Sequence, residues 1–227
     1  MTSDRRSFLT RLGAGVTVAG SALAAGTSVA NAQSGSTNFR PARHAQDDWM
    51  EKIPGKHRFV FDTTTPAGFG AALAYANNYL TANKDGYGLN DSDAAVIIIA
   101  RHFATAFAYN DAMWAKYGKL MPAMAALDDP KTKARPSINL YAASGYDDLP
   151  NMGTTIPAVL TRGVHFAVCD MATHFFAGMM AQASGGTADA VYKEIVANLV
   201  SNAHMVAAGI VAVNRAQERG FTLATAV

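Results

Sequence analysis

Cysteine is nearly absent from this sequence, and that scarcity excludes two kinds of architecture. Cys169 is the only cysteine among 227 residues, so no intrachain disulfide can form and no C-x-x-C pair exists. The six histidines also avoid the H-x-x-x-H and H-E-x-x-H spacings of common metal sites. We therefore predict neither a disulfide scaffold nor a bound metal.

Residues 33–227 carry no net charge, and the sequence has no long, strongly apolar run. Residues 33–227 contain 16 Lys+Arg and 16 Asp+Glu, because the surplus of arginines lies in the first 32 residues. A neutral domain offers no electrostatic footprint for nucleic acid or anionic lipid. The apolar run at residues 13–30 is dominated by Gly, Ala, Ser and Thr, a poor membrane span. We expect small-molecule or protein partners, no nucleic acid, and no membrane span in the mature chain.

Residues 1–32 have the pattern of an export signal. Arg5 and Arg6 precede the weakly apolar run, and the small-x-small sequence Ala30-Asn31-Ala32 ends it. Twin arginines in this setting indicate the Tat route, with cleavage after Ala32. The sequence thus predicts a periplasmic or otherwise exported protein.

The remaining 195 residues fit one domain preceded by an arm. Residues 33–56 are polar and punctuated by prolines, which predicts a tether or an arm lying on a neighbour. If this arm docks, Trp49 and Met50 are the apolar side chains that would make the contact. Residues 57–227 then form the predicted domain.

Short apolar segments alternate with segments of helical spacing through residues 57–227. The β-branched run VIII at residues 96–99 is too short for an independent helix and is typical of a strand buried on both faces. Residues 103–118 predict one helix, and the proline-rich residues 119–150 predict an insertion or lid with a short strand or an extended piece at INLYAA. The alternation predicts a three-layer α/β/α domain with about five mostly parallel strands.

Polar and reactive side chains recur where the predicted strands end, which is where open parallel sheets bind ligands. The sequence places there Asp62 and Thr63, Arg101 and His102, and Cys169 and Asp170. We predict substrate-binding roles for Arg101, Asp62, Thr63 and Asp170, although Asp62 or a neighbouring threonine is equally suited to capping the next helix.

The glycines after the first strand do not complete a dinucleotide fingerprint. Gly68 and Gly70 have the right spacing, but Leu73 occupies the position where the fingerprint requires a third small residue. We therefore expect no NAD or FAD, and the sequence predicts no other cofactor.

Cys169 permits two interpretations. At the junction of a strand and a helix, its sulfur would face unpaired N–H groups and the positive end of the helix dipole, which favour a reactive thiolate. The adjacent Asp170 would oppose that charge, and the cysteine could instead be a small buried core residue.

The segments GVHFAVCDMATHFF and HMVAAGIVAVNRAQERGFTLATA, with the order of elements over residues 57–227, resemble the DsrE/DsrF-like family. The resemblance implies a flavodoxin-like α/β/α fold and frequent homo- or hetero-oligomers. For some members it implies persulfide transfer on the cysteine that corresponds to Cys169. Export and the 119–150 insertion depart from that family's well-known cytoplasmic sulfur relays.

Two functional hypotheses follow. In the first, Cys169 is the catalytic residue of an exported sulfur carrier that works with a small-molecule or protein sulfur donor and acceptor. The thiolate would then be stabilised by His102, the second predicted catalytic residue, or by Arg101. In the second, the protein is a non-catalytic small-molecule-binding or oligomeric assembly module with a packed, structural cysteine.

Overall fold

All five strands of the sheet run parallel, in the spatial order β4-β3-β2-β1-β5. The strands are β1 (His57–Thr63), β2 (Ala94–Ala100), β3 (His165–Cys169), β4 (Ala203–Val206) and β5 (Thr222–Ala226). The α-helices are α1 (Trp49–Lys52), α2 (Pro66–Tyr87), α3 (Asp111–Tyr117), α4 (Ile156–Thr161), α5 (Asp170–Ser184), α6 (Ala188–Val196) and α7 (Gly209–Gln217). The predicted three-layer α/β/α, flavodoxin-like fold is confirmed.

This computed structural model describes residues 40–227. The predicted export signal, residues 1–32, and residues 33–39 of the predicted arm lie outside that range. No helix within residues 40–227 is both long and apolar enough to cross a membrane.

The strand order decides which face of the sheet each helix covers. The chain steps from β1 through β2 and β3 to β4 in one direction, and then returns past β1 to β5. Parallel crossovers are right-handed, so a reversal of direction moves the connecting helix to the opposite face. Accordingly α2, α5 and α6 bury their apolar residues in a core on one face, whereas α7 contributes to a second core on the other.

Strand β2 has the buried environment that its sequence predicts. All seven of its residues are buried, and successive side chains point to opposite faces of the sheet. Val96 and Ile98 lie in the larger core, while Ile97 and Ile99 lie in the smaller one. The side chains of this strand therefore pack in the cores on both faces of the sheet.

The second face is covered by α7 together with the described part of the N-terminal arm. Met50 is fully buried and Ile53 is 4 % exposed, and both pack in the smaller core. Trp49 stacks on His204 at the sheet surface. Residues 49–53 thus dock on the sheet of their own chain, where they complete a layer that α7 alone does not cover.

The single helix predicted over residues 103–118 is wrong. A 3-10 helix, His102–Ala108, comes first and α3 follows, with Tyr109 pairing to Leu199 between them in an isolated bridge. Asn110 then caps α3 by accepting the Met113 N–H at 3.3 Å. The bridge to a distant segment takes the backbone groups that a continuous helix would use.

The short strand or extended piece predicted at INLYAA within residues 119–150 is not a strand, because residues 140–142 form a turn with bends at residues 138 and 143. Buried side chains hold this segment to the domain. The Asn139 side-chain amide donates to the Phe107 and Tyr109 carbonyls at 2.8 and 3.1 Å, and the Tyr141 hydroxyl donates to the Pro66 carbonyl at 2.9 Å. The insertion is thereby fixed over the larger core.

Candidate functional site

A cavity of about 420 Å³ opens where the connections after β3 and β4 diverge. The chain leaves β3 into α5 on one face of the sheet and leaves β4 into α7 on the other. Such a divergence creates a crevice beyond the carboxyl ends of two neighbouring strands, the usual ligand site of open parallel sheets. Cys169 from β3 and Gly209 from α7 both line this cavity.

Cys169 ends β3 and caps α5. Its side chain lines the cavity although the residue is only 6 % exposed. The sulfur accepts the Ala172 N–H at 3.5 Å, which is one of the N–H groups left free at a helix start. The helix dipole adds positive potential at the same point. The local backbone therefore supplies the sulfur with a donor and a favourable field for negative charge.

Buried hydroxyl groups hold the Cys169 backbone in place. The Thr173 hydroxyl donates to the Cys169 carbonyl at 2.9 Å, and it accepts from the Tyr109 hydroxyl at 3.1 Å. Burial raises the pKa of Tyr109, so its hydroxyl stays protonated and remains a donor. This chain of hydrogen bonds fixes the junction between β3 and α5.

Arg101 brings a positive charge to the cavity from the end of β2. Its Nε and Nη2 donate to the two Asp62 carboxylate oxygens at 2.6 and 2.8 Å. The hydrogen bond to Asp62 is the main cause that raises the pKa of Arg101. The guanidinium is therefore permanently charged and held in one orientation, and Arg101 and Cys169 line the same cavity.

Gly209 permits α7 to begin against Arg101. A Cβ atom at residue 209 would lie 2.2 Å from the Arg101 Cβ, a distance that no side chain tolerates. Ala208, the residue preceding the helix, offers no side-chain acceptor for its first N–H groups. The absence of a side chain thus lets an uncapped helix start pack against the aliphatic part of the Arg101 side chain at the cavity.

His102 lines the same cavity but makes no hydrogen bond to Cys169 within residues 40–227. Its φ of 55° lies in the left-handed region, which is unfavourable for a residue with a Cβ. Its ring packs on Phe103 with the centroids 3.9 Å apart. The strained backbone turns the chain abruptly after β2 and sends the imidazole toward the cavity.

The other predicted site residues lie outside the cavity lining. Asp62 is occupied by Arg101, and the buried Thr63 donates its hydroxyl to the Ile99 carbonyl at 2.7 Å. Asp170 accepts from the Tyr192 hydroxyl at 2.7 Å, and this bond raises the pKa of Tyr192 to about 12. These contacts hold the carboxylate of Asp170 toward α6.

Sequence reasoning missed the apolar walls of the cavity. Met171 is 69 % exposed, and Phe175 on the next turn of α5 is 52 % exposed. Their i,i+4 spacing places them on one face of the helix after Cys169, which was a signal available in the sequence. Met124 reaches the cavity from the insertion, and no local pattern indicates that contact.

Within residues 40–227 no three His, Cys, Asp or Glu side chains come together as a metal site would require. Comparison with protein-family models, with curated proteins and with solved structures finds no match for this chain. The case for function therefore depends on the geometry of the cavity and on the chemistry of the side chains around it.

Proposed function

We propose that this protein is an exported carrier of sulfane sulfur, which it accepts and passes on as a persulfide of Cys169. The observation that carries the proposal is the position of the Cys169 sulfur in a cavity at the divergence of β3 and β4. There it accepts the Ala172 N–H, and the positively charged Arg101 lines the same cavity. A thiolate is the form of cysteine that attacks sulfur.

The proposed step is a displacement at sulfur and needs no oxidant or reductant. The Cys169 thiolate attacks the outer sulfur of a donor R–S–SH, and a new S–S bond forms to Cys169. The bond between the two donor sulfurs breaks, and R–S⁻ leaves with its electron pair. The proton stays on the transferred sulfur until the persulfide ionises, and the same displacement onto an acceptor thiolate regenerates Cys169.

The neighbours of Cys169 support a site that carries negative charge. The persulfide anion would extend into the cavity, toward the guanidinium of Arg101 and the start of α7. Asp170, whose charge would oppose an anion at residue 169, is instead engaged by Tyr192. In this proposal Arg101 stabilises the anion electrostatically, and His102 exchanges a proton with the leaving or entering thiol.

The resemblance of residues 57–227 to the DsrE/DsrF-like family supports the same proposal, because persulfide transfer in that family uses the cysteine corresponding to Cys169. A homo-oligomeric state belongs to the proposal on the same ground.

The presence of one cysteine makes the experiment direct, since every thiol signal comes from Cys169. We expect mass spectrometry of protein purified without reductant, or incubated with a small organic persulfide, to show one added sulfur on Cys169. Iodoacetamide should alkylate the folded protein at least as fast as the same protein in concentrated urea, where the cavity is lost. Cys169→Ser is the blank for both measurements.

A slow reaction would overturn the proposal. If folded Cys169 neither gains sulfur nor reacts with iodoacetamide at the rate of the denatured protein, the cysteine is a packed residue. The hypothesis of a non-catalytic binding or assembly module would then be correct.

A further inference from the structure

The walls of the cavity are more apolar than a thiol and its persulfide require. Three phenylalanines and three aliphatic or thioether side chains line the cavity together with Cys169, namely Phe103, Phe175, Phe176, Met124, Met171 and Ile210. Half of an aromatic ring buried against such walls contributes on the order of 1 kcal/mol of binding. The cavity is therefore built for a ligand with an apolar body.

The permanent charge at the cavity is positive. Among residues 40–227, Arg101 is the only one of the lining with a permanent charge, and no carboxylate residue of this range lines the cavity. Its Nε and Nη2 are bound to Asp62, whereas its Nη1 makes no hydrogen bond within residues 40–227. One nitrogen of the guanidinium is thus not committed to Asp62, and Arg101 lines the cavity.

The start of α7 adds to that charge. Ile210 and Gly209 belong to its first turn and line the cavity, and Ala208 provides no cap. The free N–H groups and the dipole of a nine-residue helix favour an anion there. Gly209 lies against the aliphatic part of the Arg101 side chain, and both residues line the cavity, so the helix start and the charge of Arg101 act on the same cavity.

We infer that the cavity binds a small molecule with one anionic group and an apolar body, and, granted the proposed function, that this molecule is the sulfur donor. An organic thiosulfonate, R–SO₂–S⁻, combines both features with a transferable sulfur. The Cys169 thiolate attacks its terminal sulfur, the bond between that sulfur and the sulfonyl sulfur breaks, and the sulfinate R–SO₂⁻ leaves with the electron pair. Two anions must approach each other in this step, which explains the positive groups around them.

Binding and transfer are tested separately. Binding is measured calorimetrically on Cys169→Ser, which cannot accept sulfur, with benzenesulfonate as the probe. Neutral benzenesulfonamide lacks the charge, and methanesulfonate lacks the apolar body. We expect benzenesulfonate to bind and each comparison compound to bind about tenfold or more weakly, since one charge-assisted hydrogen bond or one buried ring accounts for that factor.

Variants test which residues cause the preference for an anion and the preference for an apolar body. Removing Arg101 alone would strand the buried Asp62 carboxylate, so Asp62→Asn is combined with Arg101→Gln to remove both charges together. This double variant should reduce the preference for benzenesulfonate over benzenesulfonamide severalfold, since only the start of α7 would then favour the anion. Phe175 is half-exposed at the rim of the cavity, so the fold should tolerate Phe175→Ala. This variant should weaken the binding of both aromatic compounds severalfold and leave the binding of methanesulfonate unchanged.

Transfer is measured as one sulfur added to Cys169 of the unaltered protein. Benzenethiosulfonate should react faster than inorganic thiosulfate, which has no apolar body. If the sulfonates bind as expected but no donor transfers sulfur, the proposed function fails and the ligand class stands. If methanesulfonate or benzenesulfonamide binds as well as benzenesulfonate, or if none of the three binds at millimolar concentration, the inferred ligand class is wrong whatever the transfer experiment gives.

Discussion

Acidification is expected to weaken this fold through a histidine pair beneath the N-terminal arm. His165 Nδ1 and His204 Nε2 lie 3.1 Å apart at the edge of the sheet, and Trp49 stacks on His204 with ring centroids 3.9 Å apart. Burial, and then the neighbouring His165, lower the pKa of His204 to about 4. Burial also lowers the pKa of His165. The arm is thus docked on imidazoles that the fold keeps neutral.

The sign and size follow from proton linkage. An unfolded chain protonates His204 at its ordinary pKa of about 6.5, so it gains the proton before the folded protein does. The free energy of unfolding therefore falls as the pH drops from about 6.5 toward 4. At about pH 5 the loss from His204 would reach about 2 kcal/mol without screening, and His204 is only half-buried, so we expect about 1 kcal/mol. For a domain of this size that lowers Tm by roughly 2–4 °C.

Urea denaturation at about pH 7.5 and about pH 5 measures this loss, in a window where most carboxylates stay ionised. His204→Phe keeps an aromatic ring under Trp49 but cannot titrate, and its loss over the same window should be less than half that of the unaltered protein. His57→Gln, at the exposed start of β1, is the matched control and should behave like the unaltered protein. An equal acid loss in His204→Phe and the unaltered protein would refute the reasoning.

Two further predictions concern the backbone around the cavity. His102→Gly and His102→Ala both remove the imidazole, but only glycine relieves the left-handed φ of 55°, so urea denaturation should find the glycine variant more stable by about 1 kcal/mol; equal stabilities would contradict the strain. Gly209→Ala places a Cβ 2.2 Å from Arg101 and should destabilise the fold by about 1–3 kcal/mol. Gly178→Ala, which has nothing within 4 Å on α5, should instead stabilise it by up to about 1 kcal/mol, and a neutral Gly209→Ala would show that α7 can move.

The fold class could be predicted because its signals are local. The run at residues 96–99 is apolar and β-branched, and it forms a strand buried on both faces. Strand and helix patterns alternate around it, and parallel strands joined by helices have few arrangements. The helix break at Asn110 was harder to predict from the sequence, because it depends on the pairing of Tyr109 with Leu199, far along the chain. An asparagine followed by aspartate is a helix-start signal, and it marked the position of α3.

The candidate site was predictable only in part. Residues at strand ends can be read from the sequence, and Cys169, Arg101 and His102 do line one cavity. The sequence does not show in the same way whether a polar side chain faces the cavity or is bonded to another side chain of the same chain. Asp62 and Asp170 follow strands just as Arg101 and Cys169 do, but their carboxylates are taken by a guanidinium and a phenol that come from other elements.

The sequence by itself determined an alternating chain, a parallel sheet and a cysteine at the junction of a strand and a helix, since periodicity and turn residues act over a few neighbouring positions. Only the tertiary structure decided the strand order β4-β3-β2-β1-β5, and with it the place where successive helices leave for opposite faces. That order depends on backbone pairing between segments far apart in the chain, which local patterns do not encode. The return of the chain from β4 to β5 is what opens the cavity over Cys169.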